Sequence, residues 1–353
     1  MRTSAGILSP RRFGYLTRVE LQFASVKKTP LSRAPMLNAS SSKPFSRRLL
    51  KWYDANKRDL PWRDQPDPYR IWVSEIMLQQ TRVTAVLDYY ERFLKRFPAV
   101  RVLADAREPS VLAAWSGLGY YRRARMLHQA AKVVAREMHG VFPASSVELR
   151  KLPGVGRYTA AAVASIAFDE ATAVVDGNVE RVLHRLLGKQ LSGEPLWAMA
   201  NLLLETNRPG DHNQAMMELG ATVCLPREPL CGQCPVVQFC RSRGKQPTSS
   251  RKPSPRRAIA NYSLRLDKGA VFLTQRGQGK SLMPGMWELP ELPQPRSGKP
   301  LLRLRHAITN TNYEVRVWRD TVGKSGIPIP KARVYSLPLT GLTRKILRKA
   351  GVI

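Results

Sequence analysis

Apolar positions in the first two thirds of the chain recur at intervals of three and four residues. Val86, Tyr89, Tyr90 and Phe93 follow this spacing, which places their side chains on one face of a helix. Gly and Pro residues separate one periodic segment from the next. The pattern predicts helices over 70–82, 83–97, 110–115, 122–139, 158–168, 178–187 and 196–207.

After residue 244 the helical spacing gives way to alternation. Residues 245–257 are rich in Lys, Arg, Pro and Ser, which is typical of a linker. Alternating apolar and polar positions then predict strands over 258–266, 270–276 and 313–318, followed by a basic helix over 342–350. We therefore predict a mainly α fold with a helical domain over 43–244 and a small α+β domain over 258–353.

The charge of the chain points to a polyanionic partner. There are 58 Lys and Arg residues against 26 Asp and Glu, a formal net charge of +32. Such an excess repels itself unless it meets a polyanion, and nucleic acid releases counterions when it binds basic residues. The residues after Cys240 hold 24 of the basic and 5 of the acidic residues, so both domains are expected to contact DNA. A ribosomal or membrane-surface protein is the alternative.

Residues 1–42 contain one acidic residue, Glu20, among many Arg, Lys and Ser. This composition fits a mitochondrial presequence, a disordered basic tail, or sequence upstream of a start at Met36, and we favour the last two. No apolar run approaches the roughly 20 residues that span a bilayer, so we expect no membrane partner. The expected location is cytoplasmic and close to the nucleoid, with a mitochondrial or nuclear location as the alternative.

All four cysteines lie close together, at Cys224, Cys231, Cys234 and Cys240. Two disulfides are unusual in a reducing compartment, so four thiolates on one metal centre fit better. Zinc usually takes two short Cys-x-x-Cys pairs, and this stretch has only one. The spacing also differs from that of ferredoxins, so it predicts a metal without identifying it.

Residues 145–168 are predicted to form two helices joined by a Gly-rich turn. Ser145 with Glu148 is typical of a capping box at the start of the first helix. Gly154 and Gly156 let the backbone approach a ligand, and the amides of the turn suit a DNA phosphate. A plain αα-hairpin is the alternative. The Leu-Pro-Gly-Val-Gly string resembles the helix–hairpin–helix of base-excision DNA glycosylases, whose hairpin carbonyls also hold a monovalent cation.

Two carboxylates have the chemistry that such an enzyme needs. Asp176 begins a predicted helix, where it is either only an N-cap or an anion, held ionised by the helix end, that stabilises positive charge on a sugar. Glu75 is the only carboxylate in an apolar helical segment. Burial there would raise its pKa and keep it able to donate a proton to a leaving base. A solvent-exposed glutamate on the helix surface is the alternative.

Three further strings carry a narrower resemblance. Residues 60–63 (Leu-Pro-Trp-Arg), 74–81 (Ser-Glu-Ile-Met-Leu-Gln-Gln-Thr) and 117–121 (Gly-Leu-Gly-Tyr-Tyr) are similar to the MutY family of adenine DNA glycosylases. The resemblance implies hydrolysis of the N-glycosidic bond of adenine opposite 8-oxoguanine or guanine in duplex DNA. It implies that Glu75 protonates adenine at N7 and that Asp176 stabilises the sugar cation.

The same resemblance implies roles for further residues. Tyr158 and Asn178 support the two carboxylates. The adenine pocket is formed by Arg58, Trp62, Arg63 and Glu218. Four residues insert into the duplex and read the opposite base: Gln80, Thr81, Leu118 and Tyr120. Each has a plainer alternative, such as a core position for Leu118 and Tyr120 or a solvated helix end for Gln80 and Thr81. The four cysteines are implied to bind a [4Fe–4S] cluster.

Departures from the related enzymes bear on mechanism. Bifunctional relatives carry a Lys at the position of Tyr158, and the amine of that Lys forms a Schiff base with the sugar. Some family members also have a Lys at the position of Glu180. We therefore expect a monomeric, monofunctional enzyme that stops at the abasic site. A pyrimidine-lesion glycosylase with lyase activity and a catalytically silent DNA-binding module are the alternatives.

Residues 282–290 resemble the Nudix-like C-terminal domain of the same family. A Pro-rich basic stretch follows Glu291 in place of the metal-binding glutamates of a Nudix hydrolase, which argues against a nucleotide hydrolase. We expect a non-hydrolytic domain that recognises 8-oxoguanine. The family's Phe-Ser-His loop falls at 308–310, where Thr309 and Asn310 can still form hydrogen bonds, and the change bears on how strongly the lesion is recognised.

Overall fold

A computed structural model of the protein describes residues 37–63, 65–245, 254–277, 279, 283–321 and 325–353. Most of the predicted basic tail and of the predicted linker lies outside these residues. The described helices are α1 (Ala39–Asn56), α2 (Pro68–Leu78), α3 (Val83–Arg96), α4 (Val100–Asp105), α5 (Glu108–Trp115), α6 (Tyr121–Arg136), α7 (Ser146–Leu149), α8 (Arg157–Phe168), α9 (Gly177–Leu187), α10 (Glu194–Leu203), α11 (Pro209–Thr222), α12 (Lys331–Val334) and α13 (Gly341–Lys349). The strands are β1 (Arg256–Leu264), β2 (Leu266–Asp267), β3 (Ala270–Gln275), β4 (Trp287–Glu288), β5 (Glu291–Leu292), β6 (Leu302–Ile308), β7 (Thr311–Arg319) and β8 (Ile327–Pro330).

The helical domain has two hydrophobic cores, and helix α8 lies between them. Ala160 and Ala164 belong to the core built mainly from α2 to α6, while Ala161 and Ala162 belong to the core built from α1, α9, α10 and α11. Their small side chains let α2 and α11 pack closely against α8. The run of alanines therefore sets the distance between the two halves of the domain.

The C-terminal domain is α+β, as predicted. One of its two four-stranded sheets has the strand order β5-β1-β7-β6, in which β1 and β7 are parallel and the other pairs are antiparallel. A second sheet joins β2, β3 and β4, and β8 pairs with β3. Helix α13 buries Leu342, Ile346 and Leu347 in the core of this domain.

The two domains meet along the turn between α5 and α6. The Ser116 hydroxyl donates a hydrogen bond to the Leu339 carbonyl (2.7 Å), and the Tyr121 hydroxyl donates to the same oxygen (3.0 Å). Met286 of the C-terminal domain is fully buried in the core of the helical domain. Contacts of this kind fix the C-terminal domain against the helical one.

Some predicted boundaries were wrong. Helix α1 begins at Ala39 inside the predicted tail, because Asn38 and Ser41 form a capping box. Helix α2 ends at Leu78, four residues early, and an Arg123 guanidinium nitrogen donates to the freed carbonyl of Ile76 (2.8 Å). Helix α11 and strand β6 were not predicted. None of the described helices combines the length and apolar character that crossing a membrane requires.

Candidate active site

A cavity of about 470 Å³ opens where the two cores of the helical domain meet. It is lined by helices α2, α8 and α11, by the first residues of α3 and α9, and by the loop after α1. Ten residues proposed from the sequence lie on its wall: Arg58, Trp62, Arg63, Glu75, Gln80, Thr81, Tyr158, Asp176, Asn178 and Glu218. The fold therefore brings together residues that are up to 160 positions apart in the chain.

Glu75 is buried, with 4% of its surface exposed, in the last turns of α2. Its Oε2 lies 2.6 Å from the Tyr158 hydroxyl. Burial raises the pKa of Glu75 to about 7, although the hydrogen bond from Tyr158 opposes the rise. The expected burial and raised pKa are confirmed, and the surface alternative is wrong. A carboxyl with this pKa holds a proton near neutrality and can donate it.

Tyr158 is held in its neutral form by the same surroundings. Burial first, and then the nearby carboxylates of Glu75 and Asp176, raise the pKa of its hydroxyl well above the usual value. The hydroxyl therefore keeps its proton at neutral pH. Its oxygen also lies 3.2 Å from the Met217 sulfur, a contact with a residue that the sequence did not single out.

Asp176 is both an N-cap and a wall of the cavity. Its Oδ1 accepts hydrogen bonds from the backbone amides of Asn178 (2.9 Å) and Val179 (2.7 Å), and its Oδ2 accepts from the Asn178 side chain (3.0 Å). Burial nevertheless raises the pKa of Asp176, because these hydrogen bonds and Arg181 only partly offset the loss of solvation. We expected the helix end to hold Asp176 in its ionised form. The net shift of its pKa is upward, which corrects that expectation.

Arg181 orients the amide that faces Asp176. Its Nη2 donates to Asn178 Oδ1 (2.8 Å) and to the Gly220 carbonyl (2.7 Å). With its oxygen held there, the Asn178 amide turns its nitrogen towards Asp176. Sequence reasoning missed Arg181, although its position three residues after Asn178 on one helix was the available signal.

Glu218 anchors the opposite wall of the cavity. Its carboxylate is 1% exposed and accepts hydrogen bonds from Arg58 Nε (2.6 Å) and Arg63 Nη2 (2.8 Å). Burial pushes the pKa of Glu218 upward, but the two guanidinium groups outweigh it and the net shift is downward. Gln214, which the sequence did not single out, accepts from Arg63 Nε (3.0 Å). This wall is thus a fixed array of charged donors and acceptors.

A wider cleft of about 1460 Å³ lies between the helical and C-terminal domains. Among the described residues that line it, seven are Lys or Arg and none is acidic: Arg122, Arg123, Arg125, Arg344, Lys345, Arg348 and Lys349. Gln80, Leu118, Tyr120, Gly154 and Thr309, all proposed from the sequence, line it too. Its size and charge suit a polyanion that enters beside the smaller cavity.

Backbone strain is concentrated in this cleft. Gln80, Tyr120, Met283 and Thr309 have positive φ angles between 48° and 56°, and they are four of the eight such non-glycine residues in the described part of the chain. Each conformation of this kind costs about 1–3 kcal/mol and is often kept for function. Tyr120 is 50% exposed, which fits its predicted insertion into the duplex. Leu118 is only 7% exposed and packs in the core, which fits the core alternative, so its insertion into the duplex stays a prediction.

The two glycines of the hairpin turn differ. Gly154 has a φ of 75°, and a side chain there would clash with the Cβ of Met126. Gly156 has an ordinary φ of −88°, and a side chain there would meet no protein atom within 4 Å. Gly156 also lines neither cavity. The fold itself therefore requires a glycine only at 154.

The four cysteines are free and half-buried along one loop that follows α11. Arg185, 2% exposed, donates to the carbonyls of Leu225 (2.7 Å) and Pro226 (2.9 Å), and its Nη1 lies 3.3 Å from Cys224 Sγ. Burial first, and then neighbouring thiols, raise the pKa of Cys234. Within the described residues, no group of three or more His, Cys, Asp or Glu side chains forms a preassembled metal site.

Comparisons with known proteins agree with this geometry. Residues 73–194 match the family model described as "HhH-GPD superfamily base excision DNA repair protein". An adenine DNA glycosylase of Rattus norvegicus is 48% identical over 233 residues (61% of this chain and 45% of the relative), and one of Homo sapiens is 50% identical over 214 residues (56% and 39%). The matched part thus spans less than half of each relative.

A solved structure, that of a thermostable thymine-DNA glycosylase, is also similar. It is 31% identical and aligns with a TM-score of 0.55. The aligned region is 58% of this chain and 98% of that chain. The similarity therefore extends over almost the whole of that chain.

Proposed function

The chain belongs to the HhH-GPD superfamily of base excision DNA repair proteins, and from that membership we propose that it is a monofunctional adenine DNA glycosylase. Its proposed substrate is duplex DNA in which adenine is paired with 8-oxoguanine or guanine, and its acting form is a monomer. The proposal also draws on two relatives that are named adenine DNA glycosylase.

One observation carries the proposal: a protonatable carboxyl and a hydrogen-bonded carboxylate line the same small cavity. Glu75 has a pKa of about 7, so it can give its proton to a ring nitrogen of an extruded adenine. Protonation weakens the glycosidic bond, whose electron pair leaves with the base. Asp176, already oriented by three hydrogen bonds, stabilises the positive charge that develops on the sugar. Water then adds to the sugar cation, loses a proton to the Glu75 carboxylate or to solvent, and leaves an abasic site.

The cavity wall supports a hydrolytic outcome. Its described lining contains no lysine. A Schiff base with the sugar needs an amine, and Tyr158 offers a hydroxyl that is also engaged by Glu75. We therefore propose that the strand is not cut by β-elimination at this site.

The cysteine loop is proposed to hold a [4Fe–4S] cluster. Four thiols on one loop, braced by a buried arginine, provide the donor set that such a cluster requires. Cys224, Cys231, Cys234 and Cys240 would be its ligands. The cluster would supply cross-links that fix a basic loop, while the excision chemistry is left to the carboxylates. A monovalent cation at the hairpin carbonyls is proposed on the same resemblance.

The C-terminal domain is proposed to be Nudix-like and to read 8-oxoguanine. Thr309 is exposed in the β6–β7 turn and lines the basic cleft together with Gln80 and Tyr120. Three polar side chains on strained backbone around one cleft suit recognition of the base opposite the extruded adenine.

The decisive experiment uses duplexes that differ only in one base pair, incubated with enzyme and then treated with alkali. We expect alkali-dependent cleavage at adenine opposite 8-oxoguanine and, more slowly, opposite guanine. The matched control is Glu75→Gln, which keeps the side-chain size, so DNA binding should persist while turnover is lost. Cleavage without alkali would identify a lyase instead, and no cleavage by wild type at any adenine would refute the proposal.

A further inference from the structure

The Tyr158 hydroxyl has one proton and two acceptors within reach. Its oxygen lies 2.6 Å from Glu75 Oε2 and 3.2 Å from the sulfur of Met217 on helix α11. A thioether sulfur is a weak acceptor that cannot itself donate. The hydroxyl can therefore direct its proton to a strong anionic acceptor or to a weak neutral one.

The orientation of this hydroxyl depends on whether Glu75 Oε2 carries a proton. When Glu75 is a carboxylate, Tyr158 should donate to it. When Glu75 carries its proton on Oε1, Oε2 can still accept from Tyr158; when the proton is on Oε2, a hydroxyl proton aimed at that oxygen would occupy the same space. The Tyr158 oxygen can then accept from Glu75 only if its own proton points elsewhere. Met217 is the acceptor that the structure places on that other side.

We propose that Met217 is a positioning residue that accepts the Tyr158 proton when Glu75 is protonated on Oε2, and so stabilises the protonated form of this acid. The inference rests on the proposed glycosylase function. During reaction the Glu75 O–H bond breaks as an N–H bond forms on adenine. The Tyr158 O–H then turns from the sulfur to the new carboxylate, and Tyr158 keeps its proton throughout.

Other charged groups around Glu75 do not provide this alternative. Arg63, in the loop after α1, and Asp176, at the start of α9, act on Glu75 through charge. Glu218 of α11 and Arg58 lie across the cavity and are paired with each other. These groups stay constant when Met217 is changed, so an effect on Glu75 can be assigned to the sulfur.

The test is Met217→Leu, which keeps the volume and removes the acceptor. Single-turnover excision of adenine is measured from pH 5.5 to 9. Without a second acceptor, the hydroxyl stabilises the carboxylate form of Glu75. We therefore expect the alkaline limb of the pH–rate profile to move about half a pH unit lower, which is roughly a threefold loss of rate at pH values above the limb. Met217→Gln, which restores an acceptor, should return the limb towards wild type. Met216→Leu, a buried neighbour in the core, is the control for packing.

A second pair of variants separates this role from simple packing. In a Tyr158→Phe background there is no hydroxyl proton to redirect, so Met217→Leu should leave the limb unmoved. An unshifted profile in Met217→Leu alone, or an equal shift in both backgrounds, would overturn the inference. Absence of adenine excision by wild type would instead refute the proposed function.

Discussion

At the scale of single residues, ionising Glu75 costs the folded protein free energy because α2 carries this carboxyl into an apolar core. Its pKa is raised from 4.5 to about 7. Below pH 4.5 the carboxyl is protonated in the folded and the unfolded chain alike. Between pH 4.5 and about 7, Glu75 has lost its proton in the unfolded chain but still holds it in the folded one, so the free energy of unfolding falls as the pH rises. The loss above pH 7 amounts to roughly 3 kcal/mol.

Replacing Glu75 by Gln should therefore stabilise the protein while it abolishes turnover. The free energy of unfolding of Glu75→Gln is expected to exceed that of wild type by up to roughly 3 kcal/mol at pH 8, and to match it near pH 4.5. Urea unfolding at both pH values measures the difference. Equal stabilities at pH 8 would mean that Glu75 is not held in a desolvated site.

Substituting Asp176 by Asn separates its two roles, because Asn caps a helix as well as Asp does. The amide oxygen can still accept from the amides of Asn178 and Val179. We expect thermal stability to stay close to that of wild type, while the single-turnover rate falls at least ~100-fold through loss of the fixed anion. A large loss of stability with little loss of rate would mean that capping is its main role.

At the scale of elements, the helices with clear start signals were predicted closely. Helix α8 begins at Arg157 directly after the Gly-rich turn, and α9 begins after its cap Asp176, both as expected. Helix α11 was missed because its Pro209-Gly210 start reads as a turn and because it is buried almost all round. Its stability comes from packing against α1, α8 and α9, which local sequence does not encode. Gln214 and Met217 were missed with it.

The hairpin turn allows a matched pair of substitutions. Gly154→Ala imposes a left-handed backbone on alanine and a clash with Met126, so we expect a loss of about 2–4 kcal/mol in the free energy of unfolding. Gly156→Ala meets no protein atom, so stability should hold. Its effect should instead be on DNA affinity, because the added methyl group would occupy space that a phosphate approaches.

Two measurements distinguish these effects. Thermal unfolding reports on the fold, and fluorescence anisotropy with a duplex that the Glu75→Gln form cannot cleave reports on binding. If Gly156→Ala bound duplex as tightly as wild type, the turn would be a plain helical corner and the phosphate-site prediction would fail.

At the scale of the whole molecule, the C-terminal domain holds the turn that projects Tyr120. Ser116 donates to the Leu339 carbonyl and accepts from Arg344 Nε (3.0 Å). Tyr121 donates to the same carbonyl and accepts from the Gly117 amide (3.3 Å). Between these anchors, Gly117, Gly119 and Tyr120 all have positive φ angles. A strained turn is thus held at both ends by bonds to the other domain.

Arg344 contributes both its bond to Ser116 and its positive charge, and substitutions on α13 can separate the two. Arg344 and Arg348 lie one turn apart on α13, and both line the basic cleft. Arg344 bonds Ser116, whereas Arg348 is exposed. Removing either charge should weaken duplex binding similarly, since phosphate attraction depends on charge. Only Arg344→Met should also loosen the turn, with a loss of about 1–2 kcal/mol in unfolding free energy.

The loosened turn should also blunt the reading of the opposite base. We expect Arg344→Met to reduce the ratio of excision rates for adenine opposite 8-oxoguanine and opposite guanine, while Arg348→Met keeps that ratio. Single-turnover rates on the two duplexes give it directly. A Ser116→Ala variant removes this bond and the bond to Leu339 but keeps the charge of Arg344, so it should lower the ratio at least as far while duplex binding stays closer to wild type. Adding Arg344→Met to it should lower the ratio little further, because the bond between the two residues is already lost. Equal ratios in Arg344→Met and Arg348→Met would reduce the role of α13 to electrostatic attraction.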